Sequence, residues 1–173
     1  MVVLYDMITI MLKSALSMLE PKLDLVIQQG KSAVGHRLRP MGDLEELLMR
    51  NIILTYGVMC ETITHMRFAD DAKVNVTCRE LSLQCLLPLS QMKILMRYLY
   101  YETLLSYGVW QADEGEAAKR REATVQSLTS LLAEHLCINE DTRWELLEVF
   151  SRYEVIDKLA LRPSFISTLL MLV

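Results

Sequence analysis

One carboxylate in this chain stands where it could do chemistry. Glu102 lies in segment 86–110, a mostly apolar stretch whose only other charged residues are Lys93 and Arg97. On a helix with about 100° per residue, the nine residues between Lys93 and Glu102 place them about half a turn apart. If the two cations face solvent, Glu102 faces inward, where a carboxylate needs a partner or becomes protonated. We therefore expect an internal salt bridge or a contact with a helix end, ahead of a catalytic role.

Other residue types that serve in catalysis or metal binding lack the spacing that those functions need. His65 and His135 stand near the ends of predicted helices, where a cation is favourable. Cys60 and His65 are five residues apart and fit no zinc-ligand pattern. Ser90 begins an S-x-x-K match to penicillin-recognising enzymes, but the partner motifs are missing and a helix cap explains the serine. The sequence predicts no catalytic residue, no metal site, no cofactor and no enzyme.

Length, composition and charge exclude several classes of protein. The chain has 173 residues, of which 52% are hydrophobic and 23% charged, so it is long enough for a core and too apolar for global disorder. The net charge is −4, and no basic stripe is interleaved with aromatics, so we do not expect nucleic-acid binding. No uncharged apolar run reaches about 18 residues, and Asp6 interrupts the N-terminal stretch, so we expect no membrane span. Four irregularly spaced cysteines favour free thiols in an intracellular protein, cytoplasmic or nuclear.

Hydrophobic periodicity predicts helices at both the N-terminus and the centre of the first half. A first helix covers 2–19 and ends at Pro21, with a short continuation at 22–29. Its expected apolar face consists of Val3, Met7, Ile10, Met11 and Leu16. A second helix begins at Asp43, whose predicted capping partner is Glu46, and it reaches residue 66 or 67.

Capping signals and proline predict the helices that follow. Thr77 and Glu80 form an S/T-x-x-E capping box that begins a third helix. The central, most buried helix runs from about residue 90 to 107, and a fifth runs from 116 to 136 with a polar first half. Segments 35–42 and 111–115 are the predicted linkers, and Thr142 and Pro163 mark further helices. In all, the pattern predicts seven to nine helices.

Two stretches share a layout in which a capped helix is followed by a proline break and a more apolar helix. They begin at Thr77 and at Thr142, and within 77–173 this layout resembles the helix pairs of HEAT and armadillo solenoids. The predicted fold is all-α, with 1–173 as a single domain of stacked helical hairpins. The alternative is a Bcl-2-like globular helical bundle, because the chain has a suitable size and one hydrophobic central helix. The apolar C-terminal end indicates a segment of a larger protein or a terminus that a partner covers.

The predicted function is that of a non-catalytic scaffold or adaptor. Eleven methionines and surplus apolar surface suit an apolar groove that binds a partner helix or peptide, within a larger complex. Because arginine and aromatic side chains dominate interface energies, the predicted partner-binding residues are Arg37, Arg39, Tyr100, Tyr107, Trp110 and Trp144. The alternatives are a Bcl-2-like bundle that regulates a helical partner, and a helical enzyme or lipid carrier with a cavity around Glu102.

Overall fold

The computed structural model describes residues 1–32, 41–106 and 115–139, together with Trp144, Glu145 and Glu148. The described residues are 89% helical and include no strand, which confirms the all-helical prediction. They form five helices: α1 (Val2–Ser32), α2 (Asp43–Arg67), α3 (Ala72–Gln84), α4 (Leu89–Ser106) and α5 (Glu116–Ile138). The helices predicted after residue 140, and most of both predicted linkers, lie outside the described residues.

Helix α1 continues through Pro21, so the predicted end at this proline is wrong. The proline ring is exposed, while Leu19, Leu23 and Ile27 on the other side of the helix are buried. Proline removes one backbone hydrogen bond from a helix interior. Burial of leucine and isoleucine side chains on both sides, each contributing about 1.5–3 kcal/mol, offsets that loss.

Two helix starts differ from the predicted capping boxes. The N-cap of α2 is Gly42 and not Asp43, so no side chain caps this helix. Asp43 lies in the first turn, where its negative charge interacts favourably with the helix dipole. Helix α3 begins five residues before Thr77, because the Asp71 carboxylate accepts a hydrogen bond from the Lys73 N–H at 2.8 Å. Thr77 therefore lies inside α3, and its hydroxyl donates to the Lys73 carbonyl oxygen.

The helices form two antiparallel hairpins, α1–α2 and α4–α5, with the short helix α3 between them in the chain. An ion pair from Lys22 to Glu45 joins the C-terminal half of α1 to the start of α2. Across the hairpins, α1 packs on α4 and α2 packs on α5. Glu46 contacts Arg121 near the N-terminal ends of α2 and α5, and Thr64 contacts Glu134 near their C-terminal ends, so these two helices run parallel.

The central helix is buried as predicted. Between residues 92 and 102 of α4, only Lys93, Arg97 and Tyr100 are partly exposed, and the other side chains are buried. Cys60, Cys78 and Cys85 are buried free thiols in the same core, and Cys137 is a half-buried free thiol. Burial raises the pKa of the Cys60 thiol to about 12, which leaves it unreactive.

Gly57 tests how closely α2 and α5 are packed. A Cβ atom at Gly57 would lie 3.9 Å from Leu131 Cδ1 of α5, an ordinary van der Waals contact, and the backbone there is helical. We expect Gly57→Ala to raise the free energy of unfolding by about 0.5–1 kcal/mol, since alanine loses less entropy in a helix. Urea denaturation measures this change. The control is Gly115→Ala, where φ is +62°, which should destabilise by about 1 kcal/mol. A loss of stability in Gly57→Ala would contradict the packing.

Candidate functional site

The structure describes two of the six predicted partner-binding residues. Tyr100 is half-buried and packs against the core, so it is not the exposed anchor that was expected. Trp144 is 77% exposed. Arg37, Arg39, Tyr107 and Trp110 lie outside the described residues. The assignment of these six residues to a contact surface stays a prediction. The structure points to two other features, which are a buried ion-pair cluster and an exposed apolar helix face.

The inward orientation and pairing of Glu102 are confirmed. Its side chain is 1% exposed, and its carboxylate accepts a hydrogen bond from Arg121 Nη1 of α5 at 2.7 Å. Burial raises the pKa of the Glu102 carboxyl above its usual value, although the Arg121 guanidinium acts in the opposite direction. Arg121 was expected on a solvated helix face, but it is one of the best-buried cations of the described part of the chain.

Glu46 joins α2 to the same cluster. Its carboxylate lies 3.5 Å from Arg121 Nη2 and 3.2 Å from Arg50 Nη2, and it accepts a hydrogen bond from the Tyr101 hydroxyl at 2.8 Å. The Tyr101 hydroxyl in turn accepts the Met41 N–H at 2.8 Å. Burial and the Glu46 charge raise the pKa of Tyr101, so the phenol stays protonated. Two carboxylates therefore face two guanidinium groups, and the cluster is close to neutral.

A cleft of about 440 Å³ opens beside this cluster. Its lining includes Glu46, Glu102 and Asp43, opposed by Arg50, Arg120 and Arg121. A carboxylate that is already paired with arginine is a poor general base, and the only hydroxyl in the lining belongs to Thr124, which donates to its own helix backbone. The described groups therefore form an ion-pair network that holds three helices together.

Removal of Arg121 should test the strength of this network. Arg121→Met leaves two carboxylates buried without their shared partner, so we expect a loss of about 3–5 kcal/mol in the free energy of unfolding. The double variant Glu102→Gln/Arg121→Met should lose less than the sum of the single losses, because the charges are removed together. Urea denaturation gives all three values. Lys119→Met, at a fully exposed pair on the same helix, is the matched control and should change stability by less than about 0.5 kcal/mol.

His135 lies at the other end of α5 and is completely buried, so the expected helix-end role for it is wrong. The Tyr56 hydroxyl accepts a hydrogen bond from the Leu87 N–H at 2.9 Å and lies 2.8 Å from His135 Nδ1. Nδ1 therefore has a hydrogen-bond partner in either tautomer, whereas Nε2 has none among the described residues. Burial lowers the pKa of His135 to about 4, so the ring is neutral.

This buried histidine should make stability depend on pH. The unfolded chain binds a proton at His135 below about pH 6.5, whereas the folded chain binds it only near pH 4. Stability is then fully present above pH 6.5 and falls as the pH drops from 6.5 to 4, by about 3 kcal/mol from this one group.

Urea denaturation between pH 7 and pH 4.5 measures the effect. We expect His135→Asn to be less stable overall than the parent chain but to lose the fall in stability that protonation of His135 causes between pH 6.5 and pH 4. The matched control is His65→Asn, which removes an exposed histidine near the end of α2. Equal flattening of the profile in both variants would rule out His135 as the source.

A large exposed apolar surface of the described chain lies on α1. Seven large side chains on one side of this helix are between 55% and 74% exposed. We call them the α1 apolar face: Val3, Leu4, Met7, Ile10, Met11, Met18 and Leu25. Of the apolar positions predicted for the first helix, Val3, Met7, Ile10 and Met11 lie on this exposed face, and only Leu16 is buried.

Polar contacts at both ends of α1 determine which side of it faces outward. Near the N-terminus, the buried Thr9 hydroxyl donates to the Cys85 carbonyl oxygen at 2.7 Å. Near the C-terminus, Arg97 of α4 pairs with Asp24 at 2.7 Å and with Glu20. Arg97 was expected on a solvent-exposed edge, but its side chain is 24% exposed and engaged with α1. Rotation of α1 to bury its apolar face would break all of these contacts.

A signal in the sequence could have identified the true core face of α1. The buried residues Leu12, Leu16, Leu19, Leu23 and Ile27 follow helical spacing on both sides of Pro21. Treating Pro21 as a helix end cut this row in two, and the methionine-rich row on the opposite side then became the more regular one.

Helix α1 also meets the length and composition expected of a membrane span. Within Val2–Gln28, an 18-residue window has a mean hydropathy of 1.6 and is 22% buried. Core helices of soluble proteins and signal sequences can have the same character. The absence of a membrane span therefore stays a prediction from the sequence.

Comparisons with protein families, with curated proteins and with solved structures find no match to this chain.

Proposed function

We propose that this protein is a non-catalytic protein-interaction module that binds a partner helix along the α1 apolar face. The observation that carries this proposal is the alignment of seven exposed apolar side chains on one side of a helix whose orientation polar contacts determine. An apolar helix in an aqueous environment is stabilised when its exposed face is buried against an apolar partner. Methionine supplies three of the seven side chains, and its flexibility suits a surface that adapts to a partner.

The size of the face supports binding rather than incidental exposure. The seven side chains present on the order of 800 Å² of accessible surface, more than the roughly 300–600 Å² of the largest apolar patch on a typical monomer. Scattered exposed leucines need no explanation, but a contiguous row of this size marks an interaction site.

For the finer fold, we propose stacked helical hairpins of the armadillo/HEAT kind. The support is that α1 packs on α4 and α2 on α5, so that hairpin α4–α5 repeats hairpin α1–α2. The contacts from Asp24 to Arg97 and from Glu46 to Arg121 span 73 and 75 residues, longer than a repeat of about 40–47, in part because α3 is inserted between the two hairpins. In such a stack an end hairpin leaves one face for the next element, and α1 belongs to such a hairpin.

The cleft beside Glu102 is the basis of the alternative function, a helical enzyme or lipid carrier. Its charged lining suits an acyl chain poorly, and the Glu102–Arg121 pair already has a structural role. The Bcl-2-like alternative also binds a helix, but it requires an open groove along the central helix. In this structure the central helix α4 is buried between α1 and α5.

Site-specific photo-crosslinking in cells tests the proposal. A benzophenone amino acid at Met11 should give adducts with protein, and the same probe at the exposed Glu80 of α3 should not. Met18→Lys should abolish the adducts from Met11, since a charge would be buried in the interface. The matched control Leu83→Lys replaces an equally exposed apolar residue on α3 and should leave the adducts intact. The absence of protein adducts at Met11, or their persistence in Met18→Lys, would overturn the proposal.

A further inference from the structure

We propose that the partner of the α1 apolar face is a second copy of this chain, and that two α1 helices pair antiparallel across a two-fold axis. This inference deepens the proposed function and rests on it, because it names the partner of the same face.

The residues along the face have the order that an antiparallel pair requires. Leu4, Met11, Met18 and Leu25 are spaced seven residues apart, which is the repeat that keeps one seam in contact between two helices. Their order reads the same in both directions. A two-fold axis midway between Met11 and Met18 therefore sets Leu4 against Leu25 of the second copy, and Met11 against its Met18.

The middle of the face allows the two helices to approach closely. Ser14 is exposed and small, and it lies on the face near the proposed axis. The axis also sets Met7 opposite Lys22 of the second copy. Lys22 is directed towards Glu45 of its own α2, so its aliphatic stem is available to cover Met7. Apart from Lys22, which lies on the same side of α1 as Leu4, the acidic and basic side chains of Val2–Gln28 lie off this face.

The area of the face matches what a stable dimer needs. If all of the exposed surface, on the order of 800 Å² per copy, is buried, the pair buries at most about 1,600 Å², the size of a standard protein–protein interface. An isologous two-fold contact uses the same face on both copies, so it closes and leaves neither copy of the α1 apolar face unpaired.

The charges of α1 disfavour a lipid surface as the occupant. Its sequence contains the acids Asp6, Glu20 and Asp24 and the lysines Lys13, Lys22 and Lys31, so the helix has no net charge. Helices that lie on anionic membranes are rich in lysine and arginine on their polar face. Glu20 and Asp24 are moreover engaged with Arg97, which keeps this flank against the rest of the protein.

Sedimentation velocity of the 173-residue chain tests the inference. The chain should sediment at twice its monomer mass of 19.9 kDa. Met18→Lys should raise the dimer dissociation constant at least about 100-fold, because each dimer would bury two ammonium groups. Leu83→Lys should remain a dimer. Circular dichroism shows whether both variants keep the helical content of the parent chain, which is expected because position 18 is exposed and lysine is a good helix former.

Disulfide formation under mild oxidation tests the antiparallel order. The variants Met11→Cys and Met18→Cys are made in a Cys137→Ser background, since the other three cysteines are buried. A mixture of the two variants should give the mixed disulfide, and each variant alone should give little. Efficient disulfides in each variant alone would overturn the antiparallel arrangement, because a parallel pair brings like residues together.

The remaining outcomes separate this inference from the proposed function. A monomeric chain that still gives photo-adducts from Met11 with another protein would overturn the second copy as partner and leave the proposed function standing. A monomeric chain with no protein adducts from Met11 would overturn both. Both would also be overturned if the thiol introduced by Met11→Cys did not react with maleimide in a monomeric chain, because another part of the chain would then cover the α1 apolar face.

Discussion

The structure depends on a charge cluster that lies where three helices meet. Arg121 of α5 reaches Glu102 of α4 and Glu46 of α2, and Glu46 also contacts Arg50. A buried carboxylate is costly to desolvate, and only a well-placed cation offsets that cost. Because the two carboxylates come from different helices, they can share Arg121 only when α2, α4 and α5 have one relative position. Apolar packing alone would tolerate small sliding movements between these helices.

The charge cluster also determines which side of α5 faces the core along the whole length of the helix. Arg121, Leu128 and His135 are seven residues apart, so they lie in one line on the helix. When Arg121 faces the cluster, Leu128 enters the core and His135 reaches Tyr56 of α2. The two ends of the α2–α5 contact therefore carry the polar groups, and the middle is apolar. The neutral state of His135 follows from this placement, because the ring lies in the core and no carboxylate pairs with it among the described residues.

Patterns within single helices were predictable from the sequence, and contacts between helices were not. The all-helical class, the burial of α4 and the inward direction of Glu102 follow from spacing and composition, and the structure confirms them. The partner of Glu102 was not predictable, because Arg121 sits in a polar stretch that looks solvated when read alone. Capping motifs also misled: Thr77 fits a capping box, yet Asp71 begins the helix earlier.

Helix α1 shows why a regular apolar row does not identify the core by itself. It has two such rows on opposite sides, and hydrophobicity alone does not rank them, since both consist of large aliphatic or methionine side chains. Polar contacts decide which row faces the core. Thr9 donates a hydrogen bond to the Cys85 carbonyl oxygen, and Glu20 and Asp24 pair with Arg97. The row of apolar residues beside these groups therefore faces the core. The second row is then left in solvent at a cost that its own packing cannot offset. The regularity of that row exceeds what the fold of the described helices requires, and the proposed partner helix with the same spacing would account for it.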